Sequence, residues 1–205
     1  YFTPRALIEA MVACVRPEPM KTIADPACGT GGFFLGAYSW LTRPGAALDK
    51  RQKAFLRDQT FYGNEIVPNT RRMCLMNLFL HSIGELDGEP LVERSDALIT
   101  EPKRKVDYVL ANPPFGKKSS MTFTNEEGED DKDALIYERQ DFWTTTSNKQ
   151  LNFLQHFVSM LKVDGKAAVV QPDNVLFEGG AGEKIRKKLL ENCDVHTVLR
   201  LPTGI

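Results

Sequence analysis

The chain has 205 residues, 42% of them hydrophobic, with 26 basic and 27 acidic side chains and a formal net charge of -1. That composition supports one globular domain with a full core, excludes a disordered segment, and contains no apolar run long enough to span a membrane. The near-zero charge excludes a nucleic-acid binder that works by a domain-wide basic surface; such a partner must be gripped locally or by another subunit.

Helical and strand patterns alternate along the chain. TPRALIEAMVACV (3–15) puts Pro4 at a helix start with apolar residues at helical spacing, KTIADPA (21–27) is a short strand ending in Asp25, and GGFFLGAYSWL (31–41) is a helix. The polar stretch from Thr42 to Gln59 reads as a surface insertion. A second strand, TFYGNEI (60–66), leads to a helix opened by Pro68, and LVERSDAL (91–98) is a short third strand. KVDYVLA (105–111) is the fourth strand, and the charged stretch 116–148 reads as a long mobile loop. A helix (148–162), a fifth strand GKAAVVQP (165–172), a helix (183–193) and a sixth strand VHTVLRLP (195–202) complete the pattern. The order predicts a doubly wound, mostly parallel α/β sheet, in which ligands bind at the carboxyl ends of the strands near the switch in strand order.

The first strand runs into DPACGTGGFF, Asp25 to Phe34. Gly29, Gly31 and Gly32 between strand and helix let backbone approach a ligand and aim helix N-terminal N–H groups at it. The loop lacks the Gly-Lys-Ser/Thr of a nucleotide triphosphate loop, and Phe34 stands where the dinucleotide fingerprint needs its third glycine. Asp25 at the mouth of the turn repels a pyrophosphate and attracts an ammonium, so a zwitterion is expected. Glu65 follows the second strand, where an acid accepts hydrogen bonds from both hydroxyls of a ribose. Asp96 follows the third, in reach of an adenine amino group or simply solvated. Together these acids suggest a nucleoside carrying an amino acid, and S-adenosylmethionine has those parts.

The fourth strand ends in Asn112, Pro113, Pro114 and Phe115. The prolines stop the ladder and leave the Pro113 carbonyl unpaired with a neighbouring strand. With the Asn112 side-chain oxygen this makes two adjacent acceptors, suited to the two hydrogens of a planar NH2 group that attacks as it becomes tetrahedral. Phe115 is placed to stack on the ring that bears the amine.

DPACGTGGFF with NPPF resembles motifs I and IV of the amino-group DNA methyltransferases, in the order of the gamma class. YFTPRALIEAMV, YGNEIVPNTRRMCLMNLFLH, NKQLNFLQHFVSMLKVDGKAAVVQPDNVLF and LRLPTGI resemble the modification subunit of type I restriction-modification systems, over essentially the whole chain. The resemblance implies a Rossmann-like fold, S-adenosylmethionine as donor, and N6-methylation of an adenine flipped out of duplex DNA. It implies that Tyr1, Phe2, Thr3 and Pro4 lie near the methionine part of the cofactor, with Asp25, Ala27, Thr30, Gly31 and Gly32 in its loop. Glu65 takes the ribose, Asp96 and Ala97 the adenine side, and Asn112, Pro113, Pro114 and Phe115 catalysis. The family's subunit also has an N-terminal helical domain and residues past the last strand, so 1–205 is expected to be the catalytic domain of a longer subunit, exposing a sheet edge and inactive alone. A specificity subunit reads DNA, a restriction subunit cleaves it, and two modification subunits are expected per specificity subunit.

Cys14, Cys28, Cys74 and Cys193 form no Cys-x-x-Cys pair, which fits a reduced, cytoplasmic setting. His81, His156 and His196 lack ligand spacing, so no metal is expected. Lys103, Arg104 and Lys105, with Lys117 and Lys118, either touch phosphates or are solvated, and Phe142 and Trp143 either shield a flipped base or pack in a core. Two alternatives stand beside the leading function. One is methylation of a protein glutamine amide, for which tyrosine is the usual aromatic at the Phe115 position. The other is a non-catalytic assembly module.

Overall fold

The computed structural model describes residues 2–85, 88–115, 120–124, 130–134 and 137–202, the two short segments as backbone only. Two compact units divide the chain: Tyr1–Ala97, Pro102–Pro114 and Met160–Val170 form the first, and Leu98–Glu101, Phe115–Ser159 and Gln171–Ile205 the second.

The first unit begins with α1 (Arg5–Val15), which buries Ile8, Val12 and Val15 along one stripe and stops where Arg16 turns left-handed. β1 (Ile23–Asp25) is buried throughout, and α2 (Gly32–Leu41) buries Phe33, Phe34, Ala37 and Leu41. Gly36 lets α1 approach α2, because a Cβ there would run into Ile8 Cγ2. The stretch read as a surface insertion contains a helix, α3 (Lys50–Asp58). Asp49 and Gln52 close a reciprocal capping box at its start, and only Leu56 is buried, so the segment is polar because it is a surface helix. β2 (Phe61–Asn64) is fully buried, and α4 (Pro68–Leu80) starts on the proline as expected. The third strand shrinks to β3 (Val92–Glu93), and β4 (Val106–Ala111) follows.

Between β4 and α5 (Lys149–Met160), β5 (Ser120–Thr124) and β6 (Asp130–Ala134) pair antiparallel, so the segment expected as an irregular loop carries a small sheet of its own. β7 (Leu161–Val169) joins the main sheet, whose order is β3-β2-β1-β4-β7 with every pairing parallel. Strand order therefore reverses between β1 and β4, the doubly wound arrangement the sequence predicts. Phe34 and Phe61, 5.3 Å apart, sit in the core of this unit with Ile23, Leu78, Val92 and Leu110. Asp107, before the buried run of β4, accepts from Thr22 N–H and Oγ1–H and from Lys162 Nζ, tying the starts of β1, β4 and β7 together. β7 ends the order, with Lys166 and Ala167 exposed.

The second unit adds α6 (Asn174–Phe177) and α7 (Ala181–Asn192) and packs Leu151, Leu154, Val175 and Ile185 together. Trp143 packs against that cluster, the core role of its two readings, and Phe142 lies under the Arg139 guanidinium at 4.1 Å. The sixth strand does not form among residues 193–202. A strand exists through its ladder, and with no partner among the described residues Val195, Val198 and Leu199 stay exposed despite their strand character.

Candidate active site

The glycine loop after β1 is built by backbone geometry that only glycine adopts easily. Gly29 has φ 56° and Gly31, the N-cap of α2, φ 85°; a Cβ on Gly31 would sit 2.9 Å from Cys74 Sγ. Surrounding elements hold the loop from outside. Glu65 Oε2 accepts from Gly29 N–H at 3.1 Å, the Asn64 carbonyl accepts from Cys28 N–H, and Asn77 Nδ2 of α4 donates to the Thr30 carbonyl at 2.9 Å. Glu65 Oε1 accepts from Val67 N–H at 2.8 Å, so the acid is fixed from both sides. A carboxylate accepts about four hydrogen bonds. Two capacities therefore remain for a pair of hydroxyls.

Asp25 differs from its expectation. β1 is the central strand and Asp25 is only 2% exposed, its Oδ1 accepting from Ala27 N–H. Burial, reinforced by the Glu65 charge, pushes its carboxyl up to about 8. At neutral pH it is a protonated acid rather than a standing negative charge, and it ionises when a cation comes beside it. Below the loop, the Cys28 and Cys74 sulfurs are 3.9 Å apart and both buried. Their hydrogen bond, then burial, hold the Cys28 thiol protonated far above the ordinary range.

Thr3, ahead of α1, meets the end of β4, where Asn112 Nδ2 donates to Thr3 Oγ1 at 3.0 Å. Asn112 Oδ1 is buried and has no hydrogen-bond partner among the described residues. Pro113 is buried and Pro114 exposed. Phe115 is 53% exposed and Phe2 78%, while Pro4 is also exposed. Asp96 is partly buried and Ala97 buried; the segment they occupy is held by Asn64 Nδ2, which donates to Ser95 Oγ at 2.8 Å. Tyr1, Lys117 and Lys118 lie outside the described residues.

The basic cluster is engaged within the first unit. Lys103 pairs with Glu93 at 2.8 Å, and Arg104 lies 4.6 Å from the centre of the Tyr62 ring. Neither is a bare phosphate contact. His156 is buried against Arg139, whereas His81 and His196 are exposed. Among the described residues no group of three or more His, Cys, Asp or Glu is placed to hold a metal, and no helix is long and apolar enough to cross a membrane. Sequence reading missed Asn64, Asn77 and Ser95, which touch the expected site residues or their loops, because an isolated polar residue carries no motif. It also gave no role to Gln171, whose amide Nε2 and Oε1 are both buried without partners among the described residues.

A parallel sheet with reversed strand order between β1 and β4, a glycine loop, an acid after β2 and an Asn-Pro-Pro-Phe turn after β4 is the frame of the amino-group methyltransferases. The chain belongs to the N-6 DNA methylase family, whose model matches residues 1–205. It is 41% identical over 211 aligned residues to the type I restriction enzyme EcoKI methylase subunit of Escherichia coli K12, covering 100% of this chain and 37% of that protein. The crystal structure of the EcoKI M protein superposes with a TM-score of 0.84 at 40% identity, over 100% of this chain and 41% of that one. A chain from a type I restriction-modification system studied for its complex assembly superposes at 0.73 with 28% identity, over 92% of this chain and 36% of that one. The chain thus spans well under half the length of these relatives.

Proposed function

We propose that this chain is the catalytic domain of a type I modification subunit and methylates the exocyclic N6 of an adenine flipped out of duplex DNA. The observation that carries the reading is the buried Asn112 Oδ1, which has no partner among the described residues. An orphaned buried acceptor costs roughly 1–3 kcal/mol unless a ligand satisfies it, and an adenine amino group is such a ligand. Thr3 Oγ1 accepts the Asn112 Nδ2–H, which leaves the amide oxygen as the end available to substrate. With the Pro113 carbonyl as second acceptor, both N6 hydrogens are held while the nitrogen becomes tetrahedral and its lone pair is freed. Phe115 stacks on the base.

S-adenosylmethionine, when bound, supplies an electrophilic methyl on a sulfonium. The residues present fit it. Glu65 retains acceptor capacity for two ribose hydroxyls, Asp25 ionises beside an ammonium, and the loop of Ala27, Thr30, Gly31 and Gly32 gives close backbone approach. Asp96 and Ala97 take the adenine side, and Phe2, Thr3 and Pro4 the methionine side. Transfer would form N6–CH3 as the S–CH3 bond breaks to leave a neutral thioether, with one N6 hydrogen released to water as a proton.

The near-neutral charge of the chain fits delegated DNA reading. We assign sequence recognition to a specificity subunit shared by two modification subunits, cleavage to a restriction subunit, and the assembly to the cytoplasm. Labelled methyl transfer by the intact protein with its specificity partner, followed by nucleoside analysis, tests the proposal. N6-methyladenine in duplex DNA, lost in Asn112→Ala with cofactor binding retained, is expected. Label in a protein glutamine, or undiminished DNA methylation in Asn112→Ala, overturns it.

A further inference from the structure

We infer that Asn64, acting through Ser95, is a positioning residue that holds the acid on the adenine side of the nucleoside site and so sets the base preference of the cofactor. The inference rests on the reading of Asp96 given above.

Asn64 is the last residue of β2, is 7% exposed, and joins three strand-end segments. Its carbonyl accepts from Cys28 N–H at 3.0 Å, in the glycine loop. Its backbone pairs with Glu93 of β3, and the next residue, Glu65, donates its N–H to the Glu93 carbonyl. Its side-chain Nδ2 donates to Ser95 Oγ at 2.8 Å across 31 residues. β3 is only two residues long, so its ladder cannot by itself fix the segment beyond Glu93. The Asn64–Ser95 bond supplies a tether one residue before Asp96. A buried amide held to a hydroxyl is costly to break, because either group left alone is unsatisfied.

The consequence is geometric. Glu65 and Asp96 serve opposite ends of one rigid nucleoside, and the residue directly before Glu65 is bonded to the residue directly before Asp96. That side-chain contact is one of the bonds that set the spacing between the two acids. An acid held in place distinguishes an exocyclic amine, which donates to it, from a carbonyl oxygen, which it repels; an acid on a loose segment swings away from the mismatch and discriminates less.

The test is binding of S-adenosylhomocysteine and S-inosylhomocysteine, which carry a 6-amino group beside an acceptor N1 and a 6-oxo group beside N1–H respectively, to the intact protein and its variants. Wild-type protein is expected to prefer the adenine form by roughly tenfold or more, one hydrogen bond's worth. Ser95→Ala is expected to reduce that ratio several-fold, with Ser95→Thr, which keeps the hydroxyl, restoring it. A merely structural loss would weaken both ligands equally and leave the ratio intact. Asp96→Asn separates the two levels of the argument. If Asp96→Asn abolishes the preference and Ser95→Ala leaves it untouched, the positioning role is overturned and the adenine-side acid stands. If Asp96→Asn leaves the preference unchanged, the reading of Asp96 falls and this inference with it.

Discussion

Asn112 is held by a residue 109 positions earlier in the chain, its Nδ2 donating to Thr3 Oγ1 at 3.0 Å while its Oδ1 stays buried with no partner among the described residues. The direction of this bond decides what the site presents. With Nδ2 occupied, the free end is an acceptor.

Thr3→Val keeps the shape and removes the hydroxyl that holds the Asn112 amide. The amide then loses its anchor beside the substrate amine. At saturating cofactor, methyl transfer by the intact protein is expected to slow roughly tenfold, the equivalent of one hydrogen bond. A rate equal to wild type would show that Thr3 does not set the amide.

Asp25 makes cofactor binding pH-dependent. Its carboxyl is pushed up to about 8 by burial and then by Glu65, and an ammonium binds the ionised form. Affinity is therefore expected to rise from about pH 6 to about pH 8, with proton release on binding near neutrality. Calorimetry in two buffers of different ionisation enthalpy measures that release, which Asp25→Asn abolishes. The stability sign is the reverse. The folded carboxyl holds its proton above the ordinary 3.8, so the folded state binds more protons between about 4 and 8 and stability falls as pH rises through that window. Asp25→Asn flattens the fall.

Gly31→Ala adds a Cβ at φ 85° with Cys74 Sγ 2.9 Å away. The left-handed backbone alone costs about 1–2 kcal/mol, and the contact adds to it. Thermal unfolding is expected to show the loss. Adding Cys74→Ala to Gly31→Ala should recover the contact part and leave the backbone part, unless the loop shifts bodily.

His156 makes the second unit acid-sensitive. Burial, then the Arg139 charge beside it, lowers its pKa to about 3, although Asp141 acts in the opposite sense. The unfolded chain therefore binds an extra proton between about 3 and 6.5, and stability drops as pH falls through that window. His156→Gln is expected to remove this component of the acid transition, monitored by Trp143 fluorescence. The carboxylate of Asp107, held below its usual range by Lys162 and Thr22 despite its desolvation, adds a separate loss at lower pH in the first unit.

Much of this was legible beforehand because it is local. Alternating periodicities, Pro4 and Pro68 at helix starts, and glycines and prolines at strand ends are short-range constraints on backbone, and they gave the alternating α/β order and the loops that carry chemistry. Resemblance of those loops to motifs I and IV supplied the family. The helix α3 was missed because its polar sequence buries only Leu56 and so carries almost no periodic signal, and the β5–β6 pair because it lies in a stretch dominated by charged residues. The strand expected at 195–202 failed for the opposite reason: its pattern is local, but a ladder requires a partner.

Tertiary structure alone decided the states of the site residues. Asp25 is an acid in the sequence, and only burial in the central strand makes it a protonated one near neutral pH. Asn112 is one amide among several in the sequence, and only the fold brings the distant Thr3 to its Nδ2. Asn64 is an unremarked neighbour of Glu65 until Ser95, 31 residues on, comes within 2.8 Å. Residue type fixes what a group is able to do. Burial and long-range hydrogen bonds fix its charge and direction, and those depend on which strands become neighbours.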